Sequence, residues 1–166
     1  LTIGTLSAGG AVVTGSGAFT SVEADRDVAV DVAGDANAFL ALRGIGPNED
    51  YVLTEDDTIG LDLTGSNSNV SGSGVNANAI TVFEELIEVR NQGTQEVDVS
   101  LSGTDISIQD QSDEISAPGT DGIAASLNED AGDATLGTGH SIDVDFAINS
   151  GTSDLSGTLT IDADAT

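Results

Sequence analysis

The sequence predicts an all-β protein that folds as a single β-sandwich of the jelly-roll or immunoglobulin-like type. Apolar residues alternate with polar ones in many short segments, and clusters of Gly, Ser, Asn and Asp separate those segments. Alternation with a period of two places the apolar side chains on one face of a strand. The chain has 166 residues, enough to enclose one core, and no long linker divides it, so one sandwich domain follows.

The alternation predicts both the strands and the core. It is clearest in residues 28–32, 59–63, 97–101, 142–148 and 159–163. Shorter apolar runs, which we also expect to be strands, are residues 38–42, 106–108 and 123–127. The core is expected to include Val28, Val30, Leu40, Leu61, Val89, Val97, Val99, Ile142, Val144, Phe146 and Ile161.

Residues 81–90, with the sequence TVFEELIEVR, fit two structures. They form either a strand with an irregular start or a helix that gathers Glu84, Glu85 and Glu88 on one face. The strand is favoured. It would be followed by a Gly-containing turn at residues 91–95 (NQGTQ) and by a second alternating segment, so residues 86–101 are predicted to be a hairpin.

The charge of the chain indicates a high-salt environment. Asp and Glu total 29 against three Arg and no Lys, which gives a net charge of −26. Such charges repel one another when the Debye length is ~10 Å, and much less when it falls to ~3 Å in molar salt. Strong acidity is also typical of disordered chains, but the hydrophobic content of 38% and its ordered alternation favour an aliphatic core inside an acidic shell. The composition is therefore that of a halophilic protein.

The same composition excludes several functions. No basic patch is available to neutralise phosphates, so nucleic acid is excluded as a partner, and an anionic membrane surface would be repelled. The chain has no Cys, and its one His, His140, lies in a turn-like GTGHS sequence just before a strand. Without a recognisable nucleophile and base, we do not expect an enzyme.

The first 20 residues form an N-terminal arm that differs from residues 21–166, the predicted sandwich domain. The arm has no charged residue, since the first is Glu23, and its composition is typical of the apolar part of an export signal. We therefore expect a secreted protein whose translated chain starts before Leu1. As a strand, residues 1–8 would reach ~26 Å, long enough to complete a groove in a neighbouring sheet. The apolar residues of this donor strand are Leu1, Ile3, Leu6, Ala8, Val12 and Val13.

Two acidic clusters are candidate cation sites. Hard cations such as Ca²⁺ prefer six to eight oxygen ligands, which Asp- and Glu-rich loops supply. Neither cluster matches the EF-hand pattern, and in so acidic a chain both also fit solvated loops that bind no specific ion. The candidate ligands for Ca²⁺ or other cations are Asn128, Glu129, Asp130 and Asp133 in one cluster, and Glu55, Asp56 and Asp57 in the other.

A single N-glycosylation acceptor sequence is present, Asn69-Val70-Ser71. It lies in the Ser- and Gly-rich residues 64–74, which are predicted to be a loop inside the domain. In a secreted protein, Asn69 on such a loop would be a glycosylation site.

Two stretches resemble a known group of secreted proteins. Residues 15–32 (GSGAFTSVEADRDVAVDV) join a small-residue segment to Ala-Phe and a Val-rich strand, and residues 83–101 (FEELIEVRNQGTQEVDVSL) join two apolar strands through Asn-Gln-Gly-Thr. Together they resemble haloarchaeal secreted proteins akin to the TasA and camelysin biofilm-matrix proteins, and also the archaeal bundling-pilus subunits. The resemblance implies an exported jelly-roll subunit that polymerises by strand exchange. In the bacterial members the apolar segment is removed before the Ala-Phe pair, whereas here it is retained ahead of Ala18 and Phe19.

These observations favour a structural function. We expect a subunit of an extracellular homopolymeric filament, a pilus or biofilm-matrix fibre of a halophilic archaeon, whose partner is a second copy of itself. The alternative is a monomeric or membrane-tethered cell-surface binding module that also binds cations.

Overall fold

The computed structural model describes residues 28–34, 40–55, 58–71, 74–109, 114–128, 134–151 and 153–166. Within them the chain is mostly β, as predicted, with a single 3₁₀-helix, Gly46–Tyr51, and no helix long and apolar enough to cross a membrane. The strands of the described residues are, in chain order, β1 (Val28–Gly34), β2 (Leu40–Gly44), β3 (Val52–Glu55), β4 (Thr58–Asp62), β5 (Ala79–Asn91), β6 (Val97–Thr104), β7 (Ile106–Ile108), β8 (Gly122–Asn128), β9 (Thr135–Leu136), β10 (Ser141–Ser150) and β11 (Leu155–Ala165).

The strands form two mixed sheets. One has the order β3-β4-β1-β11-β6-β9 and the other the order β2-β5-β10-β8-β7. Most neighbours are antiparallel, but β1 runs parallel to β11 and β7 runs parallel to β8. Buried side chains from both sheets make one continuous apolar cluster, so the sheets pack face to face in a sandwich-like arrangement.

The predicted core is largely confirmed. Leu40 is only half-buried, at the edge of the core, and the side chain of Val28 lies outside the described part of the chain. The buried members of the prediction are Val30, Leu61, Val89, Val97, Val99, Ile142, Val144, Phe146 and Ile161.

The predicted hairpin over residues 86–101 is wrong, because β5 and β6 lie in different sheets. The predicted strands are present, but β5 pairs with β2 and β10, whereas β6 pairs with β11 and β9. Alternating strands around a Gly-containing turn fit either a hairpin or a crossing between the two layers. The crossing is stabilised by a buried amide that periodicity does not reveal.

That amide belongs to Asn91, the last residue of β5, which is fully buried. Its Nδ2 donates hydrogen bonds to the carbonyl oxygens of Gln95 at 2.7 Å and Leu136 at 2.9 Å. Its Oδ1 accepts a hydrogen bond from the backbone N–H of Gly93 at 2.8 Å. One side chain therefore fixes the turn and ties it to β9 in the opposite sheet.

Residues 81–90 are a strand, as favoured, and the irregularity is a bulge in the middle of β5. The register with β10 shifts between Val144 and Phe146, and Glu85 has a positive φ of 52°. Asp145 stabilises this backbone, because its Oδ1 accepts a hydrogen bond from the Glu85 N–H at 2.6 Å. Asp145 is only 3% exposed, although the simple alternation of β10 would place it on the solvent side.

Candidate assembly surface

One edge of β5 lacks a partner strand over half of its length. β2 pairs with β5 only from Ile87 to Asn91. One more hydrogen bond follows, from the Ile45 N–H to the Leu86 carbonyl oxygen at 3.0 Å. Gly46, with a φ of 73°, then turns the chain out of the ladder, and the 3₁₀-helix that it begins packs against β5 without pairing with it. Beyond the bulge, no described residue pairs with β5 on this side. We call residues 79–84 on this side the open edge of β5.

The backbone groups at the open edge follow from the antiparallel pairing with β10. The Asn78 N–H donates to the Gly151 carbonyl oxygen at 3.2 Å, and Thr81 and Phe83 lie opposite Ile148 and Phe146. Antiparallel ladders alternate in the direction of their hydrogen bonds, so the N–H and C=O groups of Thr81 and Phe83 point away from β10. Among the described residues, none bonds these groups on the outer side.

A groove of about 360 Å³ lies beside the open edge. Tyr51 and Phe83 are among the residues that line it, and their ring centroids lie 5.6 Å apart in an edge-to-face arrangement. No lining residue carries a formal charge at neutral pH. The lining residues are Asn48, Tyr51, Leu63, Thr64, Val70, Ser71, Gly74, Val75, Asn76, Thr81, Val82 and Phe83.

Two large apolar side chains are exposed at the open edge, Ile80 and Val82, and Val82 also borders the groove. Ile80 is 64% exposed and Val82 is 40% exposed, and in the described part of the chain only Ile108, at 37%, is a further exposed large hydrophobic residue. Val82 lies opposite Ala147 on β10. Ala147 in turn packs with Ala124 and Ile115 in a small satellite cluster outside the main core. The open edge therefore has apolar side chains on both of its faces.

The outer face of the same sheet is charged on the far side of the bulge. Arg43 Nε lies 2.8 Å from Glu88 Oε1, and Arg43 Nη2 lies 3.2 Å from Oε2, so the pair is bidentate. The hydrogen bond from Arg43 lowers the pKa of Glu88. Burial raises the pKa of Asp143, and the nearby carboxylates of Glu85, Glu88 and Asp145 raise it further. These charged side chains lie on the β2 side of the bulge, whereas Ile80 and Val82, which we call the apolar patch, lie on the other side of it.

We expect the Asp143→Asn variant to be more stable than the wild type at pH 7. Because the pKa of Asp143 is raised by folding, its ionised form opposes folding, and the wild type regains stability as the pH falls through that raised pKa. The gain of the variant should be at most ~1 kcal/mol for this half-exposed group, and it should vanish below the usual pKa of aspartate.

Thermal unfolding between pH 3 and 8 at constant salt measures this gain. The exposed Asp154→Asn variant serves as the control, because it removes the same charge away from the cluster. Equal gains for the two variants at all pH values would contradict the role assigned to burial and to the neighbouring carboxylates.

The sequence-predicted sites fall mostly outside the described residues. The whole N-terminal arm, Glu129, Asp130 and Asp133 of one acidic cluster, and Asp56 and Asp57 of the other lie there. The structure places Asn128 at the exposed end of β8 and Glu55 at the end of β3. Within the described ranges, no three His, Cys, Asp or Glu side chains form a group that could hold a metal ion.

Two other predictions concern described turns. Asn69 is exposed, and its N–H donates to Oδ1 of the buried Asn67 at 2.9 Å, which accords with a loop position for the acceptor sequence. His140 is an exposed turn residue, as expected, and its carbonyl oxygen accepts the Asn91 N–H at 3.0 Å.

Sequence reasoning did not single out the open edge of β5. The signal was present, because residues 80–83 (ITVF) are apolar on both alternating faces, whereas a half-buried strand is apolar on one. Such a run indicates a strand whose two faces both pack against other residues. Whether β2 extends far enough to pair with residues 79–84 cannot be predicted from local periodicity.

Protein-family models and curated proteins give no match to this chain. The likeness to the biofilm-matrix and pilus proteins therefore rests on residues 15–32 and 83–101 alone.

Proposed function

We propose that this protein is the structural subunit of an extracellular homopolymeric filament, a pilus or biofilm-matrix fibre of a halophilic archaeon. In this proposal the fold is a jelly roll, and the N-terminal arm of each subunit is a donor strand for the next. The observation that carries the proposal is the exposure of Ile80 and Val82 beside an uncharged groove, on a protein whose net charge is −26.

The uncharged segments of this acidic protein support a second copy of the chain as the partner. Two acidic surfaces repel, so close contact is least unfavourable where both partners are neutral. The arm carries no charge, and neither do the residues that line the groove or the patch next to it. Exposed apolar patches on soluble proteins commonly mark interaction sites. The arm is therefore the segment of this chain best matched to the patch.

Donor-strand assembly would propagate. An arm that binds a different surface of the next subunit makes a heterologous contact, and such contacts continue into filaments unless the ring closes. Every subunit except those at the two ends would then have both its arm and its groove occupied. Secretion fits this function, because fibres of this kind form outside the cell.

A surface binding module is the second candidate. The groove combines aromatic rings with the amide side chains of Asn48 and Asn76, which would suit a small polar ligand. Such a module would remain a single subunit in solution, whereas a filament subunit would not, so particle mass distinguishes the two.

We expect the Ile3→Asp variant to abolish assembly in molar salt. A carboxylate buried without a partner costs several kcal/mol, which would weaken each subunit contact by ~1,000-fold. Ile3→Val should assemble like the wild type, and Thr94→Asp, which adds the same charge on an exposed turn, should do so too. Pelleting by ultracentrifugation measures the assembled fraction. A wild type that does not pellet contradicts the filament function, and an Ile3→Asp variant that pellets like wild type contradicts the role of the arm.

A further inference from the structure

We infer that the donor strand binds at the open edge of β5, where it would hydrogen-bond to Thr81 and Phe83 and continue the sheet in line with β2. This inference rests on the proposed function and names the receiving site, which is the surface of one subunit that binds the donor strand of another. The occupant is the N-terminal arm of a second copy of this chain.

The open edge is the longest strand edge available in the described part of the fold. The free outer edges of β2, β3, β7 and β9 run over five, four, three and two residues, and β6 has five residues, 100–104, beyond its contacts with β9 and Ala134. The open edge runs over six, residues 79–84, which corresponds to ~20 Å of strand. The eight residues at the start of the arm span ~26 Å when extended, so the lengths match.

The backbone of the open edge lacks the partners that a donor strand would supply. Phe83 is buried, and in the described residues its outward N–H and C=O groups have no hydrogen-bond partner. A donor strand would replace water at these outward groups with backbone hydrogen bonds in a sheet, which is the pairing that an open strand edge offers. Thr81, two residues before Phe83, also directs its N–H and C=O outward. A donor strand could therefore form four backbone hydrogen bonds, two with each residue.

Side chains on the two faces of a donor strand would also find apolar partners. One face would cover Ile80 and Val82, and the other would enter the groove against Phe83 and Tyr51. As an extended strand, the arm would have apolar residues on both faces, with Leu1 and Ile3 on one face and Leu6 and Ala8 on the other. A strand with apolar side chains on one face only would place polar side chains against either Ile80 and Val82 or the groove.

The end of β2 determines where the donor strand stops. Gly46 turns the chain away from β5, and the bulge at Glu85 interrupts the ladder at the same level. A donor strand would therefore abut this turn rather than displace β2. The edge at β7 is less suited, because Ile106 packs closely over Gly103 and Gly157 and ties that strand to the opposite sheet.

Disulfide trapping in the full-length chain tests the receiving site. The natural chain has no Cys, so each introduced pair is unambiguous. Ile80→Cys is combined in turn with Cys at position 1, 3, 6 or 8 of the arm, and filaments formed in molar salt are oxidised mildly. We expect covalent ladders on denaturing gels for arm positions on one face of the strand and not for those on the other, because a disulfide needs Cα atoms within ~7 Å. Ile108→Cys, on the opposite edge of the sheet, is the matched control and should give no ladder.

A charge variant gives a second readout. Ile80→Asp combined with Val82→Asp should reduce the pelleted fraction more than tenfold while the fold is retained, because both side chains are exposed in the free subunit. Ile108→Asp should leave assembly intact. Filaments that ladder through position 108 and tolerate both charges at positions 80 and 82 would overturn this receiving site and leave the filament function standing. A wild type that forms no filaments would overturn the proposed function itself.

Discussion

Transfer from ~1 M to ~0.1 M NaCl is expected to lower the melting temperature of the free subunit by more than ~10 °C, since the Debye length grows from ~3 to ~10 Å. The net charge of −26 is spread over a surface with only three cations, and one of these, Arg43, is already paired with Glu88. Few favourable ion pairs therefore offset the repulsion. Like charges even meet directly, because Asp164 on β11 lies opposite Asp98 on β6.

The size of the effect follows from the charge as a whole. For a uniformly charged sphere of this net charge, self-repulsion grows by on the order of 10 kcal/mol over that change in salt, less the repulsion that persists in the unfolded chain. Typical domains have a free energy of unfolding of ~5–15 kcal/mol, so the loss is comparable with the whole stability.

Calorimetry of the assembly-deficient Ile3→Asp variant at several NaCl concentrations measures this dependence without interference from filaments. The Asp164→Asn variant, which removes one of the two facing carboxylates, should show a shallower dependence on salt. A melting temperature that does not change with salt would contradict the interpretation of the acidic surface.

The Asn91→Asp variant is expected to lose at least ~4 kcal/mol of stability, because it places an unpaired charge in the protein interior. Asn91 is fully buried, and its Nδ2 donates to the carbonyl oxygens of Gln95 and Leu136. A carboxylate has no N–H to donate, so two carbonyl oxygens would face an oxygen anion at hydrogen-bond distance. The crossing from β5 to β6 would then lose its tie to β9.

Chemical denaturation in molar salt measures the loss. Gln92→Glu is the matched control, since it introduces the same charge on the next residue, which is exposed. We expect the control to change stability by less than ~0.5 kcal/mol. Similar losses for the two variants would show that added charge, rather than the buried amide network, sets the cost.

Periodicity predicted what depends on local pattern. Residues 142–148 and 159–163 form β10 and β11, and their apolar members reach the core because side chains alternate strictly along a strand. The same rule failed at Asp145, where a bulge in the partner strand creates a buried acceptor site that the sequence of β10 does not show.

Pairing between strands depends on contacts distant in sequence, and this is where prediction failed. The turn after Arg90 fits a hairpin locally, but Asn91 reaches Leu136, 45 residues away, and directs β6 into the other sheet. The open edge of β5 likewise depends on Gly46, which ends the pairing with β2. The arm and most of the two acidic clusters lie outside the described residues, so their functions stay predictions.

Electron microscopy of the wild-type chain in ~1 M NaCl, where like charges are screened within ~3 Å, tests head-to-tail assembly most directly. Light scattering on the same sample gives the particle mass. We predict long unbranched fibres and a mass many times the 16.5 kDa of one subunit. A uniform solution of 16.5 kDa particles without fibres would contradict the assembly of this protein through its N-terminal arm.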